Sequence, residues 1–231
     1  MDSVKCKAIF VIMFAALLLS QQFLFADDDF NEFAMKIYKK DINGIKELLT
    51  KGADVNIREK TMGSTPLIVA CSLEGTYEIV ELLISEGADI NIQGSHDGRT
   101  PLMWAAANSQ KTVELLLAKG AKVNVTGVDG MTEFIQSIFG ILSGSVTTKV
   151  CDLLLEKGAN INHQLTGPDA TGWTALMFAC SNGKADLVQY LVSKGADVNL
   201  KAKDGTTALS LAKKEKNDDI IKILKANGAK E

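Results

Sequence analysis

The sequence predicts an all-α fold, a solenoid of helix–turn–helix units joined by hairpin-like loops. Three observations predict it. A glycine-led phrase recurs six times along the 231 residues, at glycine-to-glycine intervals of 35, 33, 38, 37 and 33. A threonine-led phrase recurs between its copies and in register with them. An apolar-rich run of helical period stands ahead of the glycines. Self-similarity at such a period marks stacked repeats, because one unit cannot bury its apolar face alone.

The first phrase reads Gly52-Ala53-Asp54-Val55-Asn56, Gly87-Ala88-Asp89-Ile90-Asn91 and Gly120-Ala121-Lys122-Val123-Asn124. It continues as Gly158-Ala159-Asn160-Ile161-Asn162, Gly195-Ala196-Asp197-Val198-Asn199 and a truncated Gly228-Ala229-Lys230. The second phrase reads Thr65-Pro66-Leu67, Thr100-Pro101-Leu102, Thr132-Glu133-Phe134, Thr174-Ala175-Leu176 and Thr207-Ala208-Leu209. A threonine hydroxyl can cap a helix start, and proline fits the first turn because its missing N–H has no partner there. A short helix is therefore expected after each threonine, for example Leu67 to Ser72. The leucine-rich run gives a second helix, and the glycine after it supplies the left-handed residue that ends a helix. Asp97-Gly98, Asp129-Gly130 and Asp204-Gly205 are tight-turn signals between units.

These two phrases in register resemble the ankyrin repeat family, over roughly residues 29–231. The resemblance implies a binding scaffold without catalysis. The family phrase T-P-L-H-x-A carries a histidine whose side chain bonds neighbouring loops. Here Ile68, Met103, Ile135, Met177 and Ser210 stand in that place. Those loop bonds are not expected from these positions, and the repeats are expected to cohere more through apolar packing.

Taken in order, the units span residues 29–57, 58–92, 93–125, 126–162, 163–199 and 200–231. The first lacks the threonine phrase. Its helices are expected at Phe30–Tyr38 and Ile45–Leu49, with Asp28 or Asp29 as a cap. The last carries Lys213-Lys214-Glu215-Lys216-Asn217-Asp218-Asp219 across its inter-helix turn. Both ends read as polar caps of a complete stack. Leu82, Leu83, Leu115, Leu116, Leu153, Leu154, Leu187 and Leu191 form the expected core, and Trp104 is expected to join it. The fourth unit has five more residues from its threonine to its glycine than the fifth, a surplus expected near Phe139–Gly144. The loop from Asn162 to Thr174 is four residues longer than that from Asn199 to Thr207. Each insertion is either a tolerated surface loop or an enlarged finger that touches a partner.

The N-terminus reads as an export signal. Lys5 and Lys7 precede a 12-residue apolar run, Ala8 to Leu19, shorter than the roughly 20 residues a spanning helix needs. Phe23-Leu24-Phe25-Ala26 then leads into Asp27-Asp28-Asp29. This is the layout of a secretory signal peptide over residues 1–26, with cleavage expected after Ala26. An uncleaved anchor is the alternative. The mature chain, residues 27–231, would keep 23 basic and 27 acidic residues, a net charge near −4. Its destination would be the periplasm, if the cell is bacterial, or the extracellular space, with no membrane attachment after cleavage.

No chemistry-bearing constellation is present. A net charge of −3 offers no basic patch for nucleic acid. His96 and His163 fall in predicted loops. Cys71, Cys151 and Cys180 are widely spaced inside apolar segments, so buried thiols are expected rather than a disulfide framework or a zinc site. Gly167, Gly172 and Thr174 have the spacing of a phosphate loop, but Trp173 stands where its lysine would be. Asn124-Val125-Thr126 matches a glycosylation acceptor, relevant only in a eukaryotic secretory route. No cofactor, metal or catalytic residue is expected.

The partner is expected to be another protein, bound by a monomer. With the leucines committed to the core, what remains free is the residue before each threonine, the hairpin tips and the inter-helix turns. In the middle units these are Arg99, Met131, Trp173, His96, Asp129, Asn108, Ser181 and Asn182. Aromatic, arginine and methionine side chains are enriched in recognition surfaces, and Trp173 is the expected anchor. A secreted protein that binds a host target would differ only in destination. An enzyme would need a site co-opted onto the loops.

Overall fold

The structure, a computed structural model, describes residues 28–168 and 170–230. The export segment, residues 1–26, lies outside the described residues. Twelve helices follow in pairs among the described residues. They are α1 Asp28–Tyr38 and α2 Ile42–Thr50, α3 Pro66–Ser72 and α4 Tyr77–Ser85, and α5 Pro101–Asn108 and α6 Gln110–Ala118. Then come α7 Glu133–Leu142 and α8 Thr148–Glu156, α9 Ala175–Ser181 and α10 Ala185–Ser193, and α11 Ala208–Lys214 and α12 Asp218–Ala226. None of them is long and apolar enough to cross a membrane.

The threonine phrase works as expected. Thr65, Thr100, Thr132, Thr174 and Thr207 each accept a backbone N–H three residues on, at 3.1–3.4 Å. The glycine phrase ends the outer helices. Gly87 has φ +90°, its N–H reaches the Ile84 carbonyl, and the Ala88 N–H reaches that of Leu83 at 2.9 Å. This paired closure satisfies carbonyls that a helix end leaves open. At the N-terminus the expected cap is corrected: α1 already includes Asp28 and Asp29, so they sit in its first turn.

The core lies between the two helix layers. Leu83, Leu116, Leu154, Leu187 and Leu191 are buried, whereas Leu82, Leu115 and Leu153 are only half-buried against the core. The correction follows from helix geometry, since adjacent residues point about 100° apart and cannot both face inward. Cys71, Cys151 and Cys180 are free and buried. Trp104 is half-buried rather than in the core, with the Arg99 guanidinium 5.4 Å from its ring centroid. The short helices α3, α5 and α7 pack along one another more closely than the outer helices α4, α6 and α8 do. The stack therefore curves with the short helices and the hairpin fingers on its inner side.

Polar bonds couple the units in addition to the apolar core, which runs from Phe30 to Leu224. The last residue of the glycine phrase reaches across to the next unit. Asn124 Nδ2 donates to the Gly158 carbonyl at 2.8 Å while its Oδ1 accepts the Asn160 N–H at 2.7 Å. Asn56, Asn162 and Asn199 make the same pair of bonds to the unit that follows each, and Asn91 accepts from Lys122. Within the phrase, Asp54, Asp89, Asn160 and Asp197 hold the asparagine backbone N–H two residues on. The positions of the family histidine are filled by buried Ile68, Met103, Ile135 and Met177, and asparagine carries the inter-unit bonding instead.

Candidate functional site

The fingers between units form the inner edge. Adjacent fingers share one backbone bond each: His96 N–H to Met62 O, Val128 N–H to Asp97 O, Gly167 N–H to Asp129 O and Lys203 N–H to Thr171 O. Asp97, Asp129 and Asp204 tighten the tips by accepting the N–H two residues on, each at 2.9 Å. That bond, to the Thr206 N–H, holds the Asp204 carboxyl below its ordinary range. Gly130 has φ +76°, and a Cβ there would meet the Thr166 backbone nitrogen at 2.4 Å, so the finger crossing needs glycine.

Both insertions are absorbed near one place. Three of the five extra residues in the fourth unit lengthen α7 to ten residues against seven in α9, and two lengthen the following turn. The four extra residues of the next finger fold back through Leu165, whose N–H donates to the Trp173 carbonyl at 2.9 Å. Buried Leu165 then joins Met131 and Ile135 in a small cluster apart from the main core. Phe139, Ala170, Trp173 and Phe178 pack around that cluster, half-buried. Phe178 sits at the centre of an aromatic row, 4.9 Å from the Phe139 centroid and 5.0 Å from that of Trp173. Beside Trp173, a cleft of about 360 Å³ is lined by Pro168, Ala170, Thr171, Lys203 and Asp204.

The expected surface residues divide. Arg99, Asp129, Met131 and Trp173 lie along the inner edge. Arg99 Nη2 is 3.1 Å from the Asp129 carboxylate, and Arg99 Nε is 3.9 Å from that of Asp97. Arg99 is thus a clamp between two fingers, with its side chain 15% exposed. Met131 corrects the expectation of a free side chain, being 8% exposed, because the longer finger brings Leu165 over it. Trp173 is half-buried on Phe178. His96 is exposed at a fingertip. Asn108, Ser181 and Asn182 lie elsewhere, at the C-terminal ends of the short helices, and Asn108 Nδ2 bonds the Ser72 carbonyl at 3.2 Å. Asn182 and Ser181 both donate to the Phe178 carbonyl.

Three contributors were missed from sequence: Phe139, Phe178 and Leu165. A signal existed for Phe178, which stands four residues after its threonine as Trp104 does, where other units have Val69, Gln136 and Leu211. Glu133 is another unexpected feature. It stands where two units have proline, is 1% exposed, and accepts the Asn124 N–H at 3.0 Å. Burial raises its carboxyl above the ordinary carboxylate value. The glycosylation match at Asn124 is occupied structurally, since its amide nitrogen is bonded to Gly158.

This arrangement, paired helices stacked with polar fingers on the inner edge, defines a repeat solenoid with a surface for protein contact. The chain belongs to the ankyrin repeat family: the family description "Ankyrin repeats (3 copies)" matches residues 33–127 and 141–231. Ankyrin repeat and SAM domain-containing protein 6 of Rattus norvegicus is 49% identical over 59 residues, 26% of this chain and 6% of that protein. SH3 and multiple ankyrin repeat domains protein 2 of Homo sapiens is 28% identical over 187 residues, 81% of this chain and 10% of that protein. The chain therefore spans a tenth or less of either relative. Among solved structures, a chain in the complex of the Bd0816 predatory endopeptidase from Bdellovibrio bacteriovorus with immunity protein Bd3460 is 29% identical. It superposes with a TM-score of 0.70, over 84% of this chain and 97% of that one.

Proposed function

We propose that the protein is an exported, non-catalytic binding module that holds another protein against its inner face, acting as a monomer. The observation that carries this reading is the row Phe139–Phe178–Trp173, half-buried rings gathered where two insertions meet. Large rings at the centre of a contact supply much of its binding energy. The belt made by α5, α7 and α9 has Glu133 as its one carboxylate and carries no lysine, arginine or histidine, and Glu133 is buried. An uncharged, ring-bearing belt fits an apolar ridge on the partner and gives an affinity that changes little with salt.

Export rests on the signal layout of residues 1–26. The similar solved complex pairs an endopeptidase with an immunity protein, and this favours an enzyme of the same compartment as the partner, blocked while bound. A tagged full chain used as bait on the exported fraction, beside a Trp173→Ala bait, tests the reading. The expected result is one enzyme enriched by the first bait and lost with the second, from a mature chain beginning at Asp27. Intact residues 1–26 on a cytoplasmic protein would overturn export. Equal capture by both baits would overturn the site.

A further inference from the structure

We propose that the stack has a bending joint between its fourth and fifth units, and that the joint opens and closes the aromatic row. Several features set this junction apart from those on either side of it. The inner helices α7 and α9 pack less closely than α3 with α5, α5 with α7, or α9 with α11. The outer helices α8 and α10 approach less closely than the outer pairs at the neighbouring junctions. The gap they leave is a cleft of about 350 Å³ lined by Lys149, Asp152, Leu153, Leu155, Glu156 and Lys194.

The finger side is altered as well. At three other junctions a long side chain two residues after the asparagine crosses to the next finger. Arg58 donates to the Gln93 carbonyl, Gln93 to Thr126 and Gln164 to Lys201. Thr126 is too short to continue the series. His163 Nε2 reaches back to the Gly130 carbonyl at 2.8 Å instead. The asparagine contact across the junction is also the longest of its kind, Asn162 Nδ2 to Gly195 O at 3.4 Å.

What spans the outer side is polar. Tyr190 stands where α4, α6 and α8 have Leu82, Leu115 and Leu153. Its hydroxyl donates to Asp152 Oδ1 at 2.8 Å, and Lys194 Nζ lies 2.8 Å from the same oxygen. A partly exposed hydrogen-bonded latch opens at far less cost than a packed interface, because water replaces its bonds. On the inner side Phe139 belongs to α7, while Phe178 and Trp173 belong to the next unit. Their edge contact tolerates sliding where interdigitated leucines would not. Bending at this junction would therefore separate Phe139 from Phe178.

Spin labels placed on the outer helices test the joint without a partner. Glu156→Cys with Ser193→Cys spans it, and Ser85→Cys with Ala118→Cys occupies the equivalent exposed positions two junctions earlier. Cys71, Cys151 and Cys180 are buried and leave the labels selective in the chain beginning at Asp27. A wider distance distribution is expected across Glu156 and Ser193 than across the control pair. Tyr190→Phe, which keeps the ring, should widen it further and leave the control unchanged. Equal widths at the two junctions, or a distribution indifferent to Tyr190→Phe, would overturn the joint. A widened joint with unchanged tryptophan fluorescence, read in a Trp104→Phe background so that Trp173 alone reports, would overturn its link to the aromatic row.

Discussion

The Trp173 ring lies 5.0 Å from Phe178, its plane tilted by 50°, so the candidate anchor is held by its own unit before any partner arrives. An aromatic pair of this kind contributes about 0.5–1.5 kcal/mol beyond area burial. Trp173→Ala should lower the thermal midpoint by a few degrees, on the scale of about 2–4 °C per kcal/mol for a chain of this size. It should weaken the proposed partner by roughly tenfold or more, equivalent to about 1.4 kcal/mol. Calorimetric melting and titration with the captured partner measure the two effects. A lowered midpoint with unchanged affinity would make the ring a packing residue alone.

Asn124 offers a sharper test of what couples the units. Asn124→Ala removes two inter-unit bonds, each worth about 1 kcal/mol net. Urea unfolding should show a loss of about 2 kcal/mol, with Asn56→Ala costing less because terminal units fray first. If Asn124→Ala is neutral, the bonds are geometric accompaniments of apolar packing.

Glu133 should impose a pH dependence. Its folded carboxyl is raised above its usual value by burial, so the folded state binds the proton more tightly than the unfolded chain. Its contribution is fully present below the ordinary value near 4.5 and is lost as pH rises through the folded value. Glu133→Gln keeps an oxygen for the Asn124 N–H. The variant should gain on the wild type as pH rises from the acid side to neutrality. Asp152 works in the opposite direction, held low by Lys194 and Tyr190, so the difference between the two proteins is the quantity to read. A constant difference across that range would dismiss Glu133 as a determinant.

The three described thiols should be inert in the native protein. Burial pushes Cys151 up to about 11 and Cys180 up to about 12, and it raises Cys71 as well. A thiol reagent should count none quickly in buffer and three after denaturation of the mature chain, without reductant. A denatured count of one would reveal a disulfide.

The repeat architecture was legible because each element rests on a local rule. Thr65 caps, Pro66 starts a helix and Gly87 stops one, whatever surrounds them. The inter-unit bonds were not legible in the same way. Asn124 reads as a loop residue until the next unit is seen to place Gly158 and Asn160 opposite it. The candidate site was visible in part. Trp173 stood out as a large ring at a loop edge, but its link to Phe139 through Phe178 depends on how a longer α7 and a longer finger settle together. Met131 was misjudged for that reason, since Leu165 covers it only once the finger has folded back.

The asparagine couplings have an evolutionary consequence. Because four of the five present the same two atoms to the same two backbone groups, and Asn91 presents one of them, the contact that joins units is interchangeable. Excising residues 93–125 would leave Asn91 facing Asn160, in place of its present Lys122 contact, with no new fitting required. Whole units can be duplicated or lost by recombination within one lineage. The stretch from Glu133 to Trp173 is exempt: its two insertions were shaped to each other and must be inherited together.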